Sequence, residues 1–317
     1  MTNRSIEEIP ASPSLADLPG DLVRLVASHI DQVPRRFPKN EFILICKNCR
    51  KRGRYDIGHI MLDVDSFHKN KSKNIEHYVQ LSAYFRCKHC NSSGPWGFVH
   101  EFKMFITSQL LVHTITNEES ELFSFGENRL YDGSSRPYSS HAEEHLLKKI
   151  VASPSDAFLW NRLGNLYDIS GRPELATAAF ERSLSLDPLQ TESNYSLGNI
   201  IKTFDHKQAV HYYHRMIISA HYYDKVDART LRTLLASTLC TIMHLQQSLL
   251  ETFTFTPSIE DYEKLGVEFP PIEKEQSTTF KGTLDVNDLK SFYPIAEFFM
   301  GDRKKELRKE KGKKRHK

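Results

Sequence analysis

The chain has 317 residues, of which 39% are hydrophobic and 26% charged, so it can build globular cores, and no apolar run approaches the roughly 20 residues of a membrane span. Five cysteines, an odd number, argue against a disulfide scaffold, and the polar, acid-bearing start is unlike a secretory signal. We expect about two domains with tails, no membrane contact and a cytoplasmic location. In a eukaryote the basic tail would also be compatible with the nucleus.

Charge is unevenly distributed although the net charge is only +3. Residues 303–317 hold ten Lys or Arg against two Glu, and residues 38–90 hold eleven Lys or Arg against five Asp or Glu. Blocks of like charge usually stay solvated and sometimes bind polyanions. The C-terminal region, 251–317, is therefore predicted to be a linker with Pro257, Pro270 and Pro271, a short helix over 285–300, and a disordered basic tail.

The N-terminal half predicts an arm followed by a small β domain. Residues 1–37 form the arm, in which apolar residues at 22, 25, 26 and 29/30 have helical spacing. Residues 38–132 form the β domain, where runs rich in aromatic and branched side chains predict strands at 42–45, 96–102, 110–115 and 122–125. A linker is predicted over 132–137 from its Asp, Gly, Ser and Pro residues.

Two Cys-x-x-Cys pairs are the strongest chemical signal in the chain. Cys46 and Cys49 form the first pair, and Cys87 and Cys90 form the second. Two thiolates at this spacing share one tight turn, and two such turns supply the four ligands of a tetrahedral zinc ion. A redox dithiol needs only one pair, normally at a helix start, so we prefer one structural zinc over a redox site or chance.

The segment around these pairs resembles a zinc ribbon, because each pair follows an apolar, strand-like run. The gap between the pairs is longer than in the compact pattern, which predicts an insertion with an exposed loop at Lys69–Lys73. Four thiolates leave no open position for water, so the zinc is not expected to be catalytic. Four basic residues directly follow the first pair and are placed to contact phosphate: Arg50, Lys51, Arg52 and Arg54.

Residues 157–190 carry a helical pattern. Trp160, Leu163 and Tyr167 would lie on one face of a first helix, and Ala176 and Phe180 on one face of a second. With Gly164, Gly171 and Pro188 at their spacings, this segment strongly resembles a tetratricopeptide repeat. A period of 33–34 residues predicts half a repeat before it, a degenerate copy after it, and a covering helix at 231–243, giving an all-α array over 141–250.

The resemblance implies a concave groove lined by the first helix of each repeat. The residues placed to line it are Phe158, Asn161, Asn165, Asp168, Tyr195 and Asn199. Members that clamp a partner's C-terminal carboxylate carry a Lys one turn before the recurring Asn. Asn161 and Tyr195 occupy those places here, so the clamp is incomplete.

No catalytic constellation stands out in the sequence. His141-Ala142-Glu143-Glu144-His145 matches an inverted zincin motif, but such short motifs often arise by chance. We therefore expect an α+β multidomain protein, a small β-rich zinc ribbon followed by an all-α tetratricopeptide array, that acts as a non-enzymatic adaptor binding a protein or peptide. The alternative is a nucleic-acid-binding protein that uses the basic ribbon and the tail.

Overall fold

A computed structural model of the chain describes residues 20–70, 74–116, 120–249, 253–268 and 283–307. Its architecture is α+β: small sheets that carry a cysteine cluster, followed by a series of packed helices. Contacts divide the chain into two compact units that meet at Ala179 and Phe180, within one helix.

The first unit begins with the predicted short helix and a three-stranded antiparallel sheet. Helix α1 spans Leu22–Ser28. Strand β1, Glu41–Cys46, is the central strand, with β2, Arg52–Asp56, on one side. The short strand Trp96–Phe98 lies on its other side and is numbered β5 below. Both sides of β1 are thus paired, and both cysteine pairs lie at one end of this sheet.

A second small sheet fills the stretch between the two cysteine pairs and beyond. Its central strand β3, Ile60–Leu62, pairs antiparallel with β4, Val79–Leu81, and parallel with β6, Phe123–Phe125. Helix α2, Val64–Asn70, and a 3₁₀ turn, Ile75–Tyr78, lie between β3 and β4. Only the start of the predicted loop Lys69–Lys73 is described, and it ends α2; residues 71–73 lie outside the described residues.

One predicted strand is wrong: residues 110–115 belong to helix α3, His100–Thr116. The predicted strand at 96–102 likewise ends at Phe98. The helix forms because Phe102 and Ile106, one turn apart, are both fully buried against the core of the sheets. Its last two turns leave Leu111 and Ile115 exposed, so the branched residues that suggested a strand are not in the core.

Helices α4, Ser139–Ala152, and α5, Ala157–Ile169, complete the first unit with the beginning of α6, Pro173–Leu186. Trp160 is buried on α5 as its spacing predicts, and its indole N–H donates to the Pro154 carbonyl at 3.3 Å. Asp156 caps α5 by accepting from the Phe158 N–H.

The second unit is helical. It contains the end of α6, then α7, Thr191–Ile201, α8, His206–Ala220, α9, Ala228–Leu249, α10, Ile259–Lys264, and α11, Tyr293–Phe299, with 3₁₀ turns at Leu289–Phe292 and Gly301–Arg303. A Cβ on Gly198 would lie 2.5 Å from the Tyr213 ring, so glycine is needed where α7 and α8 approach each other. Among the described helices, none is long and apolar enough to cross a bilayer.

The C-terminal region differs from its predicted linker and single helix. Helix α10 lies inside the stretch predicted to be a loop, and the helix predicted over 285–300 is a 3₁₀ turn followed by α11. The described start of the basic tail is helical to Leu307 rather than disordered. Residues 1–19 of the arm, Pro270 and Pro271 of the linker, and the tail from 308 lie outside the described residues.

Candidate metal centre and arginine-lined cleft

The four cysteines converge on one point. Their Sγ atoms all lie within 4.8 Å of one another. Cys46 Sγ lies 3.7 Å from Cys90 Sγ, and Cys49 Sγ lies 3.6 Å from Cys87 Sγ. In a tetrahedral site with metal–sulfur bonds of about 2.3 Å, sulfur atoms are roughly 3.8 Å apart. The four thiols are therefore positioned to bind one metal ion.

Both cysteine pairs sit on turns with the same backbone pattern, which we call knuckles: residues 46–51 and 87–92. In the first, the Cys46 carbonyl accepts from the Arg50 N–H at 2.8 Å, and the Cys46 N–H donates to the carbonyl five residues later at 3.0 Å. The second repeats both bonds, with the Cys87 carbonyl accepting from Asn91. Arg50 and Asn91 both have left-handed φ angles, 61° and 56°. These turns orient each cysteine pair toward the other.

Electrostatics at the four cysteines show why a cation suits them. For Cys49, the Lys51 N–H favours the thiolate, but burial and the neighbouring cysteines outweigh it and raise the pKa to about 11. For Cys87, burial opposes ionisation, yet the N–H groups of His89 and Cys90 lower the pKa to about 6. A bound cation removes the repulsion among the sulfurs and lets all four become thiolates. Tetrahedral four-thiolate sites take zinc or iron.

Aromatic packing fixes the knuckles to the sheet. The Tyr55 ring on β2 lies 4.9 Å from Trp96 and 5.4 Å from Phe85, and all three are buried. The Tyr55 hydroxyl accepts from the Lys88 N–H, inside the second knuckle, at 3.2 Å. One side chain therefore contacts both the sheet core and a metal-binding turn.

A buried ionic cluster connects the second knuckle to the helices. Glu143 on α4 is fully buried, and it accepts from Arg86 Nη2 at 2.6 Å, from the Tyr167 hydroxyl at 2.6 Å and from the Tyr84 hydroxyl at 3.1 Å. Arg86 directly precedes Cys87 and is 6% exposed. Burial opposes the charge of Arg86, but the bond to Glu143 outweighs it, so the pKa of Arg86 is raised. We call Tyr84, Arg86, Glu143 and Tyr167 the Glu143 cluster.

The first unit also contains a cleft of about 550 Å³ beside α5. Residues from α4 and α5 form one wall, and the second sheet and the segment after it form the other. We call it the arginine cleft, because four guanidinium groups line it: Arg36, Arg129, Arg136 and Arg162. A polar side chain, Asn165, and apolar side chains such as Leu166 and Ile169 line it as well.

The predicted groove residues of the first unit have different environments. Phe158 stacks under Arg162, 4.5 Å from its guanidinium carbon, and Asn161 is fully buried. Asn165 lines the arginine cleft, and its Nδ2 donates to Asn161 Oδ1 at 3.3 Å. Asp168 is held by Arg36 Nη2 at 2.6 Å, an ion pair that connects the N-terminal arm to α5.

The predicted groove residues of the second unit are both hydrogen-bonded within it. The Tyr195 hydroxyl lies 3.3 Å from Ser237 Oγ. Asn199 Oδ1 accepts from the Tyr213 hydroxyl at 3.1 Å and from Lys202 Nζ at 3.2 Å.

The four basic residues that follow the first cysteine pair are exposed: Arg50, Lys51, Arg52 and Arg54. None of them forms an ion pair with an acid in the described part of the chain. Of the tail, Arg303 donates to the Tyr223 carbonyl at 2.5 Å and pairs with Glu306 at 3.0 Å. The described start of the tail is thus packed on the second unit.

Sequence reasoning missed Arg36, Arg86 and Glu143. The one signal for Glu143 is its register: it lies in the buried stripe of α4 that includes Ser139, Leu146 and Ile150, where an acid needs a buried partner. The zincin-like histidines of α4 have structural contacts instead. His145 Nε2 lies 2.8 Å from Asp132, and His141 packs edge-on against Tyr138.

Three comparisons, with protein-family models, with curated proteins and with solved structures, find no match for this chain.

Proposed function

We propose that this chain is a non-catalytic protein-interaction module. In this proposal, one zinc ion on Cys46, Cys49, Cys87 and Cys90 stabilises the β-rich part, and α4–α9 form a short tetratricopeptide-like array that binds a protein or peptide. Zinc is the proposed ion because a closed set of four thiolates is one of its standard structural sites. The helical pairs of 11–15 residues and the small Gly198 at a close helix approach support the repeat assignment.

The arginine cleft carries the proposal. It lies beside the exposed face of α5, the helix that the repeat resemblance places on the binding side. Asn165 lines the cleft and uses one amide N–H internally, so its side-chain oxygen and its other N–H could bond to a ligand. A side-chain amide of this kind can bond to the backbone of an extended peptide.

A display library of linear peptides, selected on the full zinc-loaded chain, tests the proposal. Enriched peptides should bind with affinities that fall at least about tenfold in Asn165→Ala, because two hydrogen bonds to the peptide are lost. Gln109→Ala, which removes a half-buried amide from α3, is the matched control and should leave binding unchanged. Failure to enrich any peptide that depends on Asn165 would contradict the proposal.

Nucleic-acid binding is the second candidate, favoured by the exposed basic residues after the first cysteine pair. Arg52 and Arg54 lie on the edge strand β2, so their exposed charges also have a simpler role in preventing edge-to-edge aggregation. Binding of generic DNA and RNA at roughly 50 and 200 mM salt separates the two roles. Submicromolar, salt-sensitive binding that Arg52→Gln/Arg54→Gln abolishes would favour nucleic acid over a peptide.

A further inference from the structure

We propose that the arginine cleft binds an acidic segment of a protein partner, whose carboxylates contact Arg36, Arg129 and Arg136 while its apolar side chains enter the cleft floor. This inference rests on the proposed function and specifies the chemistry of the partner. Three of the four arginines come from outside the repeat-like helices.

The charge of the cleft points to an anionic occupant. Among the described residues that line it, four are Arg and none is Asp, Glu or Lys. Each guanidinium offers five N–H donors in a planar fork that matches a carboxylate. Several such groups around one concave surface raise the local potential for an anion, because low-dielectric walls focus their field.

Two of these arginines pair with acids that are not part of the cleft lining. Arg36 pairs with Asp168 and Arg129 with Glu127, at 2.6 and 2.7 Å, and neither acid is among the described residues that line the cleft. Both guanidinium-bearing side chains are more than half exposed, 55% and 66%, so they can turn toward a ligand at little cost.

Arg136 is oriented by a histidine instead of an acid. Its Nη2 donates to His145 Nδ1 at 2.8 Å, while His145 Nε2 donates to Asp132 at 2.8 Å. This arrangement requires a neutral His145 that carries its proton on Nε2. Arg136 forms no ion pair with any residue in the described ranges, so a carboxylate entering the cleft would be its first direct anionic partner.

Apolar side chains form the floor of the same cleft. They come from both walls: Leu81 and Met61 of the second sheet, Leu146 of α4, and Leu166 and Ile169 of α5. A purely ionic ligand such as free phosphate would leave this surface uncovered. A segment in which acidic and apolar residues alternate would match both the arginines and the apolar floor, because an extended chain presents alternate side chains to opposite sides.

The aromatic side chains of the cleft favour a peptide over a nucleic acid. Single-stranded nucleic acids bind largely by stacking bases on open ring faces. Phe37 stacks on His59 at 4.8 Å, and Tyr131 is covered by Lys149 at 5.7 Å and contacts Phe158 edge-on at 5.3 Å. These rings are already in contact with neighbouring side chains, whereas the guanidinium groups are suited to binding carboxylates.

Fluorescence anisotropy with designed peptides tests the inference on the full zinc-loaded chain. The probe is an extended peptide of about ten residues that alternates Glu and Leu. Twins with Gln or Lys in place of Glu have the same length and apolar content, and a uridine oligonucleotide of equal length is the competing ligand. We expect the Glu peptide to bind at least about tenfold tighter than the Gln twin, with affinity falling as salt rises.

Variants locate the binding in the cleft. Arg129→Gln should weaken the Glu peptide about fivefold, the scale of one exposed ion pair, and Arg36→Gln/Arg129→Gln should weaken it further. Arg54→Gln removes the same charge outside the cleft and should change binding less than twofold. Circular dichroism confirms that each variant is folded.

Three results would overturn the inference. In the first, the Glu and Gln peptides bind equally or neither of them binds, while library-selected peptides that lack acidic residues still depend on Asn165. The proposed function would then stand without this inference. Another is loss of binding in Arg54→Gln but not in Arg129→Gln. The third is tighter binding of the uridine oligonucleotide that Arg129→Gln abolishes, which would make the cleft a nucleic-acid site. If no selected peptide depends on Asn165, the proposed function fails as well.

Discussion

Replacing Arg86 by Met should destabilise the first unit by about 3–5 kcal/mol, because it leaves the buried carboxylate of Glu143 without its cationic partner. The substitution keeps an unbranched apolar stem and removes the guanidinium group. It removes the cation that pairs with Glu143, whose carboxylate has no exposed surface. Two tyrosine hydroxyls would remain as donors, but they bring no charge to offset that of the carboxylate.

The magnitude follows from burial. A pair of charges in water is worth little, and exposed ion pairs contribute only about 0–1 kcal/mol. Arg86 and Glu143 are 6% and 0% exposed, so loss of one partner leaves a desolvated charge, which costs several kcal/mol. Arg35→Met is the matched control, because Arg35 pairs with Asp56 at 3.1 Å while 61% of its side chain is exposed. Its cost should stay below about 1 kcal/mol.

Urea unfolding, followed by tryptophan fluorescence, measures the free energy of unfolding of the first unit. Both tryptophans of the chain, Trp96 and Trp160, belong to the first unit. A double variant, Arg86→Met/Glu143→Leu, replaces the ion pair by apolar side chains and should lose at least about 2 kcal/mol less than the sum of the single variants. Metal analysis of each variant separates this effect from loss of the ion.

Two outcomes would refute the reasoning. If Arg86→Met costs no more than Arg35→Met, Glu143 is not the buried, charge-dependent centre of its cluster. If the single costs are additive in the double variant, Arg86 and Glu143 do not act as a pair.

Removal of a metal ligand, Cys87→Ser, should lower metal content from about one ion per chain to near zero and shift the tryptophan unfolding transition to lower urea, because metal binding contributes folding free energy. Cys240→Ser, which changes the lone cysteine of α9, should retain the ion. Gly198→Ala should destabilise the helices by about 1–3 kcal/mol in far-UV circular dichroism, because its methyl group would overlap the Tyr213 ring. Acidification should destabilise the second unit through His214. Burial lowers the pKa of His214, whose Nε2 donates to a carbonyl at 3.0 Å. Below about pH 6.5, His214 therefore binds a proton more readily in the unfolded chain than in the folded chain. The free energy of unfolding should fall as pH drops through that value.

Each of these predictions has a contradicting result. Full metal content in Cys87→Ser, or equal loss in Cys240→Ser, would contradict the four-cysteine site. An unchanged melting curve for Gly198→Ala would show that α7 and α8 can separate without cost. For His214, replacement by Gln should flatten the decrease between about pH 7 and 5.5. An unaltered slope would show that other groups cause the decrease in stability. Asp261, whose carboxylate lies 3.8 Å from His214 Nδ1, would be the first to test.

The features that the sequence predicts correctly are those determined by residues close together in the chain. The turn within each Cys-x-x-Cys pair follows from its short spacing, and β1 and α5 follow from apolar patterns a few residues long. The groove residues remain a prediction, since exposure and internal hydrogen bonds differ among them.

Contacts between distant residues explain what the sequence could not predict. Arg36 reaches Asp168 across 132 positions, and Arg86 reaches Glu143 across 57, so no window of sequence contains both partners. The strand predicted at 110–115 is part of helix α3 for a related reason. The branched residues near its end suggest β-structure, but the burial of Phe102 and Ile106 against the sheets selects a helix.

The placement of the two knuckles on either side of β2, β3 and β4 has a consequence for folding. Cys46 and Cys90 are 44 positions apart, and Cys49 and Cys87 are 38 apart. An ion that captures both knuckles closes a loop of that length, and a cross-link of this span removes about 4 kcal/mol of chain entropy from the unfolded state. Strand β1 can pair early with its near neighbour β2, whereas β5 must return from beyond the loop. Metal capture shortens that search, so metal supply should set the rate at which the first sheet is completed.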